Sequence, residues 1–167
     1  MVAKPRIAAP TLRFLGAAAT VTGSRFLLTT AQSAVLVDCG LFQGLKELRL
    51  RNWDAFPVPP AAVDAVVLTH AHLDHSGYLP ALCRDGFGGQ VLATASTRAL
   101  AEILLPDSGH LQEEEAEYAN LKGYSKHKPA RPLYTEQDAI KSLQQLAAAP
   151  LRAPADASGR GNAARAR

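Results

Sequence analysis

Short apolar runs, many of them rich in β-branched residues, alternate with polar turns along the first part of the chain. Runs of this length and composition predict strands. The predicted strands are Thr11–Ala17, Ser24–Thr30, Ser33–Asp38, Ala65–Leu68 and Gln90–Ala95. The first three follow one another closely, with a glycine-containing turn around residue 22, so we expect them to pair antiparallel.

Segments whose apolar residues recur at helical spacing separate these strands and follow them. The predicted helices are Leu45–Arg51, Gly77–Arg84, Thr97–Leu105, the strongly acidic Leu111–Leu121, and Thr135–Ala147. We expect Pro106 to end the third helix, because proline removes a helical hydrogen bond and clashes with the preceding turn. Thr135 is a suitable N-cap for the last helix, with Asp138 in its first turn.

Length and composition are those of an ordinary soluble globular domain. The chain has 167 residues, of which 47% are hydrophobic and 20% charged, enough for one domain with a core. No apolar run approaches the roughly 18–20 residues that span a bilayer, and the N-terminal segment lacks the apolar region of a signal peptide. Two cysteines, Cys39 and Cys83, provide no disulfide framework, so we expect a cytoplasmic location and no membrane partner.

The net charge of +3 comes entirely from the end of the chain. Residues 151–167 carry four arginines against one aspartate, so residues 1–150 are formally neutral and their charge does not indicate nucleic-acid binding. This tail is rich in Ala, Arg and Gly and is expected to be disordered. We interpret residues 1–10 as an N-terminal extension, 11–150 as the domain, and 151–167 as a tail arising from truncation or a frameshift near residue 155.

Four metal-binding side chains follow the predicted strand Ala65–Leu68 within six positions: His70, His72, Asp74 and His75. In an extended segment His70 and His72 project from the same face, and a turn after them lets Asp74 and His75 face the same cavity. Imidazole and carboxylate ligands favour Zn(II), with Fe(II) and Mn(II) as competitors. The alternative, an exposed polar loop or core histidines bonded to backbone carbonyls, suits a lone histidine better than this H-x-H-x-D-H cluster.

The H-x-H-x-D-H pattern after a strand resembles the metallo-β-lactamase superfamily. Four other segments resemble its β-CASP branch of RNA-processing nucleases: TVTGSRFLL, LVDCGLFQG, DSGHLQEEEAEYAN and GYSKHKPARPLY. The resemblance runs from about Thr11 to Pro150. It implies an α/β (α+β) chain with the N-terminal portion of a four-layer αββα fold, and a zinc-dependent hydrolase that cleaves single-stranded RNA.

The resemblance also implies how a complete site would divide its ligands between two zinc ions. His70, His72 and His110 would hold one ion, and Asp74 and His75 would belong to the second. His110 comes just after the expected helix end, which predicts a loop from which its side chain reaches back to the strand end.

Asp38, at the end of the third predicted strand, has two interpretations. One is an Asx turn before Gly40. The other is an acid that accepts a hydrogen bond from a ligand imidazole and fixes its tautomer. The resemblance implies the second role.

The expected chemistry is hydrolysis by a metal-bound hydroxide. Two cations about 3.5–4 Å apart can share a hydroxide whose parent water has a pKa lowered toward 7. Asp74 would be the catalytic carboxylate that orients this nucleophile toward phosphorus. In the β-CASP family, a bridging aspartate, a further histidine ligand, the general acid and a second domain lie beyond the position of residue 167. We therefore expect this chain by itself to be inactive.

A basic and aromatic segment follows the acidic helix. Its residues could contact RNA phosphates and bases, or form a basic loop that balances the acidic helix. They are Lys122, Tyr124, Lys126, His127, Lys128, Arg131 and Tyr134. A solvated helix face, or an acidic cluster near the site as the family implies, is formed by Glu113, Glu114, Glu115 and Glu117.

Two other functions stay open. The metal motif alone also permits a hydrolase of the same fold that acts on a thioester or another non-nucleic-acid substrate. A non-catalytic metal- or RNA-binding remnant is the second alternative. A serine hydrolase is disfavoured because Ser24, Ser33 and Ser76 lie in no nucleophile-elbow pattern. A homo-oligomer also stays open.

Overall fold

One mixed sheet of six strands organises the residues that the structure, a computed structural model, describes: 9–124 and 128–149. The strands are β1 (Thr11–Phe14), β2 (Phe26–Thr29), β3 (Ala34–Val37), β4 (Ala65–Val67), β5 (Gln90–Ala93) and β6 (Leu146–Ala148). They lie in chain order across the sheet. The two pairings within β1–β3 are antiparallel and those from β3 to β6 are parallel. The predicted antiparallel pairing of the first three strands is confirmed.

In the described ranges, five α-helices connect the parallel strands or pack against them. They are α1 (Lys46–Leu50), α2 (Leu73–Ser76), α3 (Leu79–Arg84), α4 (Ala95–Lys122) and α5 (Glu136–Ser142). Short 3₁₀ turns occupy Arg51–Trp53, Pro60–Ala62 and Leu143–Gln145. No helix in the described ranges is both long and apolar enough to cross a membrane. The predicted extension and tail, apart from residues 9 and 10, lie outside the described residues, as do Lys126 and His127.

The two faces of the sheet differ sharply in exposure. On one face, a row of buried side chains crosses from β2 to β6: Leu27, Leu36, Val66, Val91 and Leu146. This row forms the core with Leu79 and Leu82 of α3 and Leu105 of α4. On the other face Phe14 is exposed, and Val37, Val67 and Leu92 are only half-buried. Among the described residues the expected αββα arrangement is therefore represented by one sheet, and no second sheet covers the apolar face.

Helix α4 corrects the prediction of two helices separated at Pro106. It runs without a break from Ala95 to Lys122, with Pro106 inside it. An interior proline costs about 3 kcal/mol, so packing must offset it. Buried Ser108 accepts a hydrogen bond from Tyr134 Oη at 2.9 Å, and Gly109 lies directly against the backbone of Glu136. These contacts hold α4 against α5 on the C-terminal side of the proline.

The last predicted helix, Thr135–Ala147, is also only partly correct. Thr135 caps α5 as predicted, with a reciprocal capping box to Asp138. The helix ends at Ser142, however, and the alanine-rich continuation forms β6. The open edge of β5 accounts for the difference, because β6 pairs with it in parallel and Leu146 enters the buried row beside Val91.

Candidate metal centre

The segment after β4 is held in a tight local structure. His72 is the residue before α2, and its carbonyl accepts the backbone N–H of His75 at 2.9 Å. The hydroxyl of buried Ser76 donates a hydrogen bond to the Ala71 carbonyl at 2.9 Å. At the start of the segment, the Thr69 backbone N–H and hydroxyl both donate to the Asp38 carboxylate. The strand end therefore leads directly into one helical turn that carries Asp74 and His75.

The structure brings His70, His72, Asp74 and His75 together as two donor pairs. His70 Nε2 lies 3.2 Å from His72 Nδ1, and His75 Nε2 lies 3.6 Å from Asp74 Oδ2. A tetrahedral zinc ion with bonds of about 2.0–2.1 Å separates its ligand atoms by about 3.3 Å. The rings of His70 and His75 are 4.0 Å apart between centroids, so the two pairs adjoin. The donor types and the spacing within each pair are compatible with two ligands of one ion.

Asp38 is the buried acid behind this group. Its carboxylate accepts hydrogen bonds from His75 Nδ1 at 2.8 Å and from Ser24 Oγ at 3.0 Å. A carboxylate only accepts, so His75 Nδ1 is the donor to Asp38, and Nε2 is the ring nitrogen that faces Asp74. The Gly40 N–H donates to the Ser24 carbonyl and not to Asp38, so this pattern is not the Asx turn of the alternative interpretation.

The protonation of His70 also favours a ligand role. Burial lowers its pKa, and the neighbouring His75 and His72 rings lower it further. A lower pKa keeps the imidazole neutral near pH 7, and the neutral ring is the form that binds a metal. The Thr69 hydroxyl lies 3.0 Å from His70 Nδ1 and helps to orient the ring.

His110 does not join this group in the structure. It lies on α4, not in the predicted loop, and it is 56% exposed. Its ring nitrogens lie 3.5 Å from Glu114 and 3.7 Å from Glu136. Within the described part of the chain, no group of three or more His, Cys, Asp or Glu side chains is arranged to hold a metal. Its role as a ligand stays a prediction.

The proposed RNA-contact residues have mixed positions. Tyr124 is exposed, with its ring 6.3 Å from that of Tyr118, and Lys122 Nζ lies 5.6 Å from the Tyr118 ring. Lys128 and Arg131 are exposed. Tyr134 cannot stack on a base, because it is fully buried and its hydroxyl is bonded to Ser108.

The acidic helix face is only partly solvated. Glu113 accepts the backbone N–H of Glu136 at 2.9 Å, which ties α4 to the start of α5. Glu114 lies beside His110. The remaining cluster residues, Glu115 and Glu117, are exposed.

Sequence reasoning missed the residues that support the group from behind. Ser24 and Thr69 donate hydrogen bonds to the Asp38 carboxylate. Arg25 and Asn52 are buried beside the loop that follows Asp38. The only sequence signal for Ser24 and Arg25 is their place in the segment GSRF, because their partners are distant in the chain.

Comparison with known proteins gives a family and several curated relatives. Residues 21–100 match the model of the metallo-beta-lactamase superfamily. A stretch of 99 residues is 52% identical to "Ribonuclease TTHA0252" of Thermus thermophilus, covering 59% of this chain and 22% of the relative. From Methanocaldococcus jannaschii, "Transcription termination factor FttA" is 37% identical over 61% of this chain and 16% of its own length. "Probable RNase MJ4" of the same organism is 36% identical over 61% of this chain and 23% of its own length.

The matched stretch corresponds to about a fifth of the length of these relatives. Among solved structures, MEM-A1, a subclass B3 metallo-beta-lactamase from a soil metagenome library, is 19% identical with a TM-score of 0.41. The likeness covers 77% of this chain and 40% of that one.

Proposed function

We propose that this chain, whose residues 21–100 carry a metallo-β-lactamase domain, supplies the metal-binding part of a zinc-dependent hydrolase that cleaves RNA phosphodiester bonds. The superfamily predicted from the sequence is confirmed by the family model. The names of the curated relatives, ribonuclease and transcription termination factor, agree with the predicted RNA-processing branch. RNA as the substrate rests on those names and not on the described side chains.

The hydrogen bond from His75 Nδ1 to Asp38 is the observation that carries the proposal. It fixes the imidazole with Nε2 available beside Asp74, which is the tautomer that a metal ligand requires. An exposed polar turn would not require the buried Asp38 carboxylate that accepts hydrogen bonds from Ser24, Thr69 and His75. This carboxylate is well suited to orienting a ligand.

In this proposal each side chain has a separate task. A divalent metal bound here would supply Lewis-acid activation of a water molecule and of a phosphoryl oxygen. His70 and His72 form one donor pair, and Asp74 and His75 form the other. The Asp74 carboxylate, whose side chain is 23% exposed, would help to hold the metal and to orient the attacking water. Asp38 stays buried and keeps the His75 ring in place.

The sharpest test grafts the matched stretch of this chain into the Thermus thermophilus ribonuclease in place of its own. We expect the graft to cleave single-stranded RNA in a chelator-sensitive manner and to leave a thioester intact. Asp74→Ala in the graft should abolish cleavage while the protein stays folded. Thioester hydrolysis without RNA cleavage would favour the other hydrolase, and zinc binding without turnover would favour the non-catalytic alternative.

A further inference from the structure

Arg25 is a buried cation in an unusual environment. Its residue is 3% exposed, and its guanidinium lies 4.0 Å from the ring centre of Tyr78, with Phe42 and Phe56 at 5.0 and 5.5 Å. No carboxylate of the described residues lies within 4.0 Å of it. Burial lowers its pKa, which reflects the cost of desolvating the charge. A buried charge without a carboxylate partner is expensive, and the cation–π contacts with these rings offset part of that cost.

The other contacts of Arg25 are hydrogen bonds to the loop after β3 and to Asn52 in the 3₁₀ turn Arg51–Trp53. Arg25 Nε donates to the Gly40 carbonyl at 2.8 Å, and a terminal nitrogen donates to Asn52 Oδ1 at 3.4 Å. The Asn52 side chain in turn accepts the Phe42 N–H at 2.9 Å and donates to the Phe42 carbonyl at 2.8 Å. Arg25 and Asn52 therefore fix the backbone from Gly40 to Phe42 in one position.

This loop lies directly against the backbone of the second donor pair. A Cβ atom at Gly40 would lie 1.6 Å from the Asp74 carbonyl oxygen, so the backbone at Gly40 packs against the backbone at Asp74 with no room for a side chain. The Asp74 carbonyl accepts the Ser24 N–H at 2.9 Å, and the His75 carbonyl accepts the Cys39 N–H at 2.7 Å. Within the described ranges, no backbone hydrogen bond joins this loop to His70 or His72.

We propose that Arg25 is a positioning residue for the Asp74–His75 pair. By donating to the Gly40 carbonyl, Arg25 holds the loop that packs against the backbone of Asp74 and His75. It does not act on the His70–His72 pair. The inference rests on the proposed metal-binding function. It adds that the two ions depend on different parts of the fold.

The test uses the full chain and compares Arg25→Met with Arg84→Met. Methionine keeps an unbranched apolar stem in the aromatic cage but removes the charge and both hydrogen bonds. Arg84 is a matched control, because its guanidinium also donates to a backbone carbonyl, that of Leu133, and its acidic partner is Asp85. Neither partner belongs to the proposed metal site.

The first measurement needs no metal. Amide hydrogen exchange followed by NMR should be about tenfold faster at Ser24 and Cys39 in Arg25→Met, with core amides of β4 and β5 unchanged. Arg84→Met should leave Ser24 and Cys39 at the wild-type rate. Wild-type exchange at both amides in Arg25→Met would overturn the proposal, as would uniformly faster exchange across the sheet.

The second measurement follows the histidine side-chain signals during a zinc titration. In Arg25→Met, we expect the zinc concentration that half-saturates the His75 signal to rise about tenfold, within the usual range for a residue that orients a ligand. The His72 signal should keep its wild-type midpoint. Equal shifts of both midpoints, or no shift of either, would overturn the proposal.

A further variant guards against misfolding. If Arg25→Met does not fold, Arg25→Lys keeps a buried cation in the cage but cannot form both hydrogen bonds, and it should show the same selective effects in smaller size. Faster exchange at Ser24 and Cys39 in a chain that binds no zinc would refute the proposed function. It would leave the role of Arg25 in holding this backbone intact.

Discussion

Four donors from two segments that are distant in the chain converge on the Asp38 carboxylate: Ser24 Oγ, Thr69 N and Oγ1, and His75 Nδ1. The residue adopts a left-handed backbone conformation with φ of 59°, which is uncommon for a non-glycine residue and is tolerated best by Asn and Asp. Both the carboxylate, which accepts these hydrogen bonds, and the left-handed backbone therefore favour aspartate at this position. A change here should affect metal binding through His75.

Asp38→Ala should weaken zinc binding by about 10–100-fold, the usual effect of losing a residue that orients a metal ligand. The cause is that His75 loses the acceptor that fixes its tautomer. Isothermal titration with zinc measures the change. Asp64→Ala is the control, because that carboxylate also accepts a backbone N–H, from Ala34 at 2.7 Å, but does not contact the metal residues. Unchanged affinity in Asp38→Ala would show that this residue serves only the local backbone.

Replacing His70 and His72 together by alanine should remove one of the two proposed zinc sites, because both donors of one pair are lost. Metal analysis of the dialysed protein measures the loss. His110→Ala tests the ligand role that the resemblance implied, because in the structure the ring nitrogens of His110 lie beside Glu114 and Glu136 instead. Loss of zinc in His110→Ala would establish it as a ligand, as the family resemblance implied. Full zinc content in the double variant would contradict the proposed centre.

At the scale of single elements, local patterns predicted strands better than helix ends. The runs that became β1 to β5 are apolar and short, and each lies within its predicted bounds. Pro106 and the alanine-rich end of the last helix misled the prediction, because contacts distant in the chain decide both places. The neighbours of Gly109 and the open edge of β5 cannot be read from local sequence.

The same limit applies to the candidate site. His70, His72, Asp74 and His75 could be found because they are adjacent in sequence and follow a strand. The roles of Ser24, Thr69 and Arg25 could not, because they depend on hydrogen bonds between segments far apart in the chain.

The contact between α4 and α5 gives a prediction at this scale. Gly109→Ala should lower the free energy of unfolding, because the new Cβ would lie 2.7 Å from backbone atoms of Glu136. Alanine gains about 1 kcal/mol in helix propensity, whereas overpacking against backbone costs about 1–3 kcal/mol, so we expect a net loss. Urea denaturation measures it. Gly88→Ala, where a Cβ meets nothing within 4 Å, should leave the stability nearly unchanged. Equal stability of the two variants would show that α5 can move aside.

At the scale of the whole molecule, the uncovered face of the sheet is the dominant surface feature. It presents Leu12, Phe14 and Leu28 to solvent on β1 and β2, with Phe14 60% exposed and packed edge-on to Phe26 at 5.4 Å. β1 is also an edge strand, exposed at all four residues. An apolar face beside an open strand edge favours association between molecules. Among the described residues, the core helices pack on the opposite face.

We therefore expect the purified chain to self-associate, and the double variant Leu12→Lys, Phe14→Lys to shift it toward monomer, because two charges on the face oppose contact between copies. Sedimentation velocity at several concentrations measures the shift, and binding of an apolar dye should fall in parallel. Val21→Lys is the matched control: Val21 is 90% exposed but lies in the turn between β1 and β2, away from the sheet face. A fully monomeric wild-type chain would show that this face does not drive association. An equal shift in the Val21 variant would show that general surface charge, and not this face, governs it.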